Sequence, residues 1–154
     1  FRERARLVLY AALADELPTR PLYEIARESG KVLLWPRTAG RGCLEFAPCW
    51  RWEDLVQERY GVLAPPPGQA SVGLGPEDLL LVPGVAFDLR GGRLGRGMGY
   101  FDRALGEIGE GGPLSLGVGF DFQLVEEVPR ELHDRAVHGV LTERRLQRVG
   151  ERVR

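Results

Sequence analysis

Apolar residues first gather at Leu7-Val8-Leu9-Tyr10-Ala11-Ala12-Leu13, with no charge among them. A run of this length without alternation reads as a strand covered on both faces, the pattern of a parallel sheet flanked by helices. Thr19 then stands where a helix N-cap is expected and Pro21 falls in the first turn. Leu22, Ile25 and Ala26 recur at helical spacing on one face, and Gly30 supplies the stop. Val32-Leu33-Leu34-Trp35, closed by Pro36, predicts a second strand. The three elements form a strand–helix–strand unit, whose crossover is almost always right-handed.

Residues 37–49 show no clear period. Trp52, Leu55, Val56 and Tyr60 predict a short helix ended by Gly61, and Pro65-Pro66-Pro67-Gly68 a stiff extended connector. Leu79 to Val82 is a third strand, followed by a glycine-dense stretch and a helix with Tyr100, Phe101, Ala104, Leu105 and Ile108 on one side. Leu114 to Phe120 predicts a fourth strand, Leu124, Val125 and Val128 a brief helix before Pro129, and Val137 to Leu141 the last strand. The Arg-rich tail from Arg144 to Arg154 reads as a surface helix or frayed end. The alternation predicts a single α/β domain over residues 1–154, built on an open, mostly parallel sheet with helices on both faces. Ligands of such sheets sit beyond the carboxyl ends of the strands.

Composition narrows the function classes. The 154 residues are 44% hydrophobic and 28% charged, enough for one real core. The 21 Lys plus Arg against 22 Asp plus Glu leave a net charge of −1, which excludes a nucleic-acid partner held by bulk electrostatics. Lys31 is the only lysine, so the cations are arginines, whose forks suit phosphate and carboxylate. The bias also fits GC-rich coding or a hot habitat. No apolar run approaches the ~20 residues that span a membrane, and no secretory signal pattern opens the sequence. Cys43 and Cys49 have no zinc set around them and read as free thiols. A cytoplasmic monomer is the expectation.

The segment that points to chemistry is Gly91-Gly92-Arg93-Leu94-Gly95-Arg96-Gly97-Met98-Gly99-Tyr100-Phe101-Asp102-Arg103. Gly95, Gly97 and Gly99 alternate just before a helix, so the backbone can approach a phosphate chain, with loop and first-turn N–H groups turned toward its oxygens. Arg93 and Arg96 add charge and forked donors. Asp102, early in the helix, can face a magnesium ion that bridges phosphates. The spacing is neither a dinucleotide fingerprint nor a Walker loop. A bare glycine run of this kind also serves as a simple turn; the paired arginines, the Tyr100-Phe101 pair and the acid favour phosphate binding.

Val82-Pro83-Gly84-Val85-Ala86-Phe87-Asp88, followed by the Gly92–Arg103 segment, resembles the signature of the 5-formyltetrahydrofolate cyclo-ligase family. Asp15-Glu16-Leu17-Pro18-Thr19, Trp35-Pro36-Arg37 and Val128-Pro129-Arg130-Glu131-Leu132-His133-Asp134 are similar to further family segments, so the resemblance runs from about Leu7 to Glu143. It implies an ATP- and magnesium-dependent ligase that closes 5-formyltetrahydrofolate to 5,10-methenyltetrahydrofolate. On that resemblance Arg93, Leu94, Gly95, Arg96, Gly97, Met98, Gly99, Tyr100 and Phe101 wrap the ATP phosphates, and Arg96 to Tyr100 also touch the folate. Asp102 and Asp134 hold magnesium, Glu16 pairs with the pterin ring, and Ala11 lines that pocket. The family opens with a helix whose Lys and Arg reach ATP. This sequence starts just ahead of its first strand, so that role falls to residues upstream of Phe1 or to Arg2, Arg4 and Arg6.

Two other functions stay open on the sequence: a non-catalytic module for a nucleotide or sugar phosphate, and a family paralogue acting on another one-carbon or thiamine-related compound. Trp50 and Trp52 read as packing for the short helix, and His133 and His138 as surface groups, not a metal pair.

Overall fold

The computed structural model describes residues 4–151. Strand β1 (Arg6–Val8) leads to helix α1 (Arg20–Glu28) and then to a hairpin of β2 (Val32–Ala39) and β3 (Cys43–Pro48). Short strands β4 (Val56–Gln57) and β5 (Leu63–Ala64) pair with each other, as do β7 (Ala86–Phe87) and β8 (Arg93–Leu94), with β6 (Asp78–Pro83) between the two ribbons in sequence. Helix α2 (Tyr100–Ile108), β9 (Leu114–Val118), β10 (Gly139–Leu141) and β11 (Leu146–Arg148) follow. The main sheet has the order β11-β10-β9-β6-β1-β2-β3. Its inner strands are parallel, and the edge strands β3 and β11 are antiparallel to their neighbours. The expected open, mostly parallel α/β sheet is therefore what forms.

The central strands explain the unbroken apolar run. Leu7 and Leu9 join Leu33, Leu79 and Leu81 on the face covered by Tyr23 and Ala26 of α1. Val8, Leu34, Leu80 and Val82 turn to the other face, under Ala104 and Leu105 of α2. Side chains alternate between faces along a strand, so only a strand with both faces covered can be apolar at every position. Burying each of these leucines contributes about 1.5–3 kcal/mol, and β1 carries its share on both faces.

Several local expectations are corrected. Strand β2 runs through Pro36, because only its Val32–Leu34 part pairs with β1; beyond that β3 is its sole neighbour, and a proline is tolerated on an open edge. The helix expected over Trp52–Tyr60 is replaced by 3₁₀ turns at Trp52–Asp54 and Arg59–Gly61 on either side of β4. Trp52 packs edge-on against Tyr23 and Trp35, while Val56 and Tyr60 are exposed, and Tyr60 has a φ of 61° that no α-helix accepts. Pro65 to Gly68 ends in a turn, with Gly68 at a φ of 96°. No helix forms over Leu124–Val128: Val125 N–H bonds to Phe87 O and Val128 N–H to Asp88 Oδ2, so this stretch is tied to the end of β7. The Arg-rich tail supplies edge strand β11, and residues 152–154 lie outside the described residues.

Thr19 does occupy the N-cap of α1 but makes no capping bond. Its hydroxyl donates to Tyr10 O at 2.6 Å and accepts from Ala12 N at 3.1 Å, so it ties the exit of β1 to the start of the helix. Ile25 points to solvent and Tyr23 takes the buried place expected of it. Arg4 and Arg6 cannot serve a nucleotide at the carboxyl ends of the strands. Arg6 sits at the opposite end of β1, forked onto Asp78 at 2.6 Å on both oxygens, and Arg4 bonds to Pro76 O; Arg2 lies outside the described residues. Among the described residues no helix is long and apolar enough to cross a membrane.

Candidate active site

From the adjacent central strands β1 and β6 the chain leaves in opposite directions, to β2 on one side and to β9 on the other. Such a switch point opens a crevice at the carboxyl ends. A cleft of about 850 Å³ lies there, between the Tyr10–Glu16 turn after β1, the β2–β3 turn, Tyr60, and the glycine loop that opens α2. Arg41 and Tyr60, among the described residues the non-glycine ones with positive φ (64° and 61°), both line it.

The glycine loop is shaped as its sequence requires. Gly97 has a φ of 92° with nothing within 4 Å of where a Cβ would stand, and Gly99, at 70°, is the N-cap of α2. Neither conformation suits an L side chain. Gly99 has no side chain to cap the helix, so first-turn N–H groups stay available to an anion. Arg103 fastens the loop in place, its Nη2 donating to Met98 O at 2.8 Å and its Nε to Gly42 O at 2.9 Å on the β2–β3 turn. Arg93 is nearly buried and spans the cleft wall: Nη1 donates to Pro83 O at 2.9 Å, and Nη2 to Asp102 Oδ1 at 2.7 Å.

Arg96 crosses the cleft mouth. Its Nη2 meets Asp15 Oδ1 at 2.8 Å, and its Nε stands 3.6 Å from Glu16 Oε1. These contacts raise the guanidinium above its ordinary value, chiefly through the bond to Asp15, and that same bond lowers the Asp15 carboxyl. Glu16 is mostly buried and accepts Leu13 N–H on Oε2 at 2.8 Å, so its turn is held from both sides.

Of the residues expected at the site, Ala11, Glu16, Arg93, Gly95, Arg96, Met98, Gly99, Tyr100, Phe101 and Asp102 line the cleft. Leu94 is largely exposed on β8 and Gly97 sits in open space at the loop, both outside the lining. Asp134 also lies outside it; its Oδ2 accepts Glu131 N–H at 2.8 Å, and His133 Nε2 is 3.6 Å from its Oδ1. His138 Nδ1 instead meets the N–H and Oγ of Ser115, away from His133. Among the described residues no three His, Cys, Asp or Glu side chains gather as a metal set.

Two residues at or beneath the site escaped the sequence reading. Asp88 is buried, and its carboxylate takes the N–H groups of Arg90, Gly92 and Val128 and the Arg130 guanidinium. It thereby fixes both the turn ahead of the glycine loop and the segment that leads to Asp134. An acid followed by Arg90, Gly91 and Gly92 is the signal of a side chain folding back on its own turn. Tyr10 is among the residues that line the cleft, and its hydroxyl is buried with no hydrogen-bond partner; it is the one polar side-chain atom in the Leu7–Leu13 run.

A family model described as the 5-formyltetrahydrofolate cyclo-ligase family matches residues 1–143. The 5-formyltetrahydrofolate cyclo-ligase of Mycolicibacterium smegmatis is 34% identical over 131 residues, covering 84% of this chain; the chain in turn spans 63% of that relative's length. The Escherichia coli K12 enzyme of the same name is 33% identical, with 88% of this chain and 76% of that one covered. The solved structure of a 5,10-methenyltetrahydrofolate synthetase from Aquifex aeolicus superposes with a TM-score of 0.79 at 31% identity, over 100% of this chain and 76% of that one.

Proposed function

This chain belongs to the 5-formyltetrahydrofolate cyclo-ligase family, and we propose that its cleft performs the ATP-dependent closure of 5-formyltetrahydrofolate to 5,10-methenyltetrahydrofolate. The observation that carries this reading is the cleft itself. A glycine loop opening a helix faces a carboxylate-bearing turn across about 850 Å³, and Arg96 joins the two. One wall suits polyphosphate and the other a ring with adjacent N–H groups.

In the proposed reaction the formyl oxygen attacks the γ-phosphorus of ATP and ADP departs. The neighbouring folate nitrogen then attacks the activated carbon and loses its proton, and phosphate leaves with the formyl oxygen. No protein nucleophile is required, so positioning and charge neutralisation carry the catalysis. The loop from Arg93 to Phe101 would cradle the phosphates, and Glu16 and Ala11 would seat the pterin. Magnesium would be held by Asp102 and by Asp134 on the segment fixed through Asp88, and it would neutralise phosphate charge. Asp102 fits that role: Arg93 engages only its Oδ1, and magnesium is usually bound by one or two carboxylates together with phosphates and water, not by an all-protein cage; Asp134 stands outside the cleft lining and is proposed on the family resemblance alone. Cys43 and Cys49 are free thiols, which suits the reducing cytoplasm proposed as its compartment.

The test is to combine the protein with ATP, magnesium and 5-formyltetrahydrofolate and follow methenyltetrahydrofolate absorbance. A rise that needs all three components is expected. Binding of both ligands with no rise would overturn catalysis and leave a binding module.

A further inference from the structure

Tyr10 directly follows the buried end of β1, where the crevice opens. Its ring belongs to the core cluster with Leu9, Tyr23 and Leu33, and the residue is 5% exposed. Its hydroxyl is buried with no hydrogen-bond partner. A dry hydroxyl left unpaired is costly, and a phenylalanine would fill the same space without that cost. The backbone here is not free to drift, because Thr19 Oγ1 bonds both Tyr10 O and Ala12 N. Burial, aided by the charge of Glu16, holds the phenol well above its ordinary value, so it is a neutral O–H donor standing in the field of a carboxylate.

A carboxylate that accepts and a phenol that donates, on residues lining one cleft, make a recognisable pattern. It matches a ring edge presenting two adjacent N–H groups and then a carbonyl, which is the edge of a 2-amino-4-oxo pterin. The edge of an adenine presents one amino group beside a ring-nitrogen acceptor and so gives the carboxylate a single donor where the pterin gives two, and a phosphate carries no fixed donors, so neither matches both groups as fully. We propose that Tyr10 is a positioning and specificity residue that donates its hydroxyl proton to the ring carbonyl of the reduced pterin whose N–H groups are taken by Glu16. This rests on the reading that the cleft binds a reduced folate.

The experiment is calorimetry on the wild type and on Tyr10→Phe, with 5-formyltetrahydrofolate, with a 2,4-diaminopteridine that carries an amino group in place of the carbonyl, and with ATP, alongside a melting curve. The variant should bind 5-formyltetrahydrofolate about 5- to 20-fold more weakly. It should bind the diamino compound and ATP as well as the wild type does, and it should melt no lower, because an unpaired hydroxyl has been removed. Equal losses on both pteridines, or no loss on either, would overturn the proposal. A lower melting temperature with weakened ATP binding would also overturn it, by making Tyr10 a structural prop. A wild type that binds no reduced folate would refute the reading of the cleft itself, whereas a wild type that binds it as well as Tyr10→Phe does refutes only the role of the hydroxyl.

Discussion

Replacing Asp88 with Asn tests whether one buried carboxylate holds two parts of the site together. Oδ1 accepts from Arg90 N and Gly92 N at 2.8 Å each and from Arg130 Nη2 at 3.2 Å, and Oδ2 accepts from Val128 N at 2.9 Å. In the variant the amide keeps one oxygen for the first group and turns an N–H toward Val128 N–H. One charge-assisted bond, about 1.5–3 kcal/mol, is lost, and a buried donor is left unpaired at about 1–3 kcal/mol. Allowing for relaxation, unfolding free energy should fall by about 3–5 kcal/mol, which in a domain of this size lowers Tm by roughly 10 °C. Urea and thermal unfolding measure it. Acid supplies a second reading. Burial pushes the Asp88 carboxyl up, but the bonds from Val128, Gly92 and Arg90 N–H and the Arg130 charge outweigh it and hold the group below its ordinary value. A depressed folded-state pKa gives stability that is complete above the unfolded value of ~3.9 and is lost as pH falls through the folded one. The gap between wild type and the non-titrating variant should therefore shrink in acid. A loss under about 1 kcal/mol at neutral pH, or a gap that stays constant into acid, would refute this account of Asp88.

Asp102→Asn should leave the fold intact and cut turnover at least about tenfold, most severely at limiting magnesium; unchanged turnover there removes its metal role. Gly97→Val forces a β-branched residue to a φ of 92° and crowds the phosphate approach. It should therefore weaken ATP binding more than folate binding in calorimetry, whereas equal losses would point to unfolding. Glu16→Gln should weaken 5-formyltetrahydrofolate by roughly one to two decades, the loss of a charge-assisted bond worth ~1.5–3 kcal/mol. ATP affinity should change little, because Arg96 keeps its 2.8 Å bond to Asp15; matched losses of both ligands would make Glu16 a prop for its turn.

What was legible in the sequence followed from two strong local signals. Leu79–Val82 and the first part of the Leu7–Leu13 run are apolar at every position, which strands covered on both faces sustain, so the central parallel sheet was readable; the rest of that run leaves the sheet, with Tyr10, Ala11 and Leu13 on the cleft wall. Gly95, Gly97 and Gly99 before Tyr100 marked a glycine-dependent turn into a helix, and positive φ at Gly97 and Gly99 bears out the need for glycine at those two positions. The edge elements were not readable. Strand β3 and strand β11 each have one sheet neighbour and mixed burial, so no clean period marks them. Val56 and Tyr60 imitated a helical face while both lie exposed.

The sequence by itself determined which segments form the sheet core and where the glycine loop opens a helix, because these depend on residues close together along the chain. Only the tertiary structure decided which distant groups meet. Arg96 reaches Asp15 across 81 positions, Asp88 reaches Val128 across 40, and Tyr10 shares a cleft with Asp102. Such meetings are set by how strands stack side by side in a sheet whose order is not the order of the chain. Local spacing cannot encode them, since hydrogen bonds and ion pairs act over a few ångströms of space and take no account of separation in sequence.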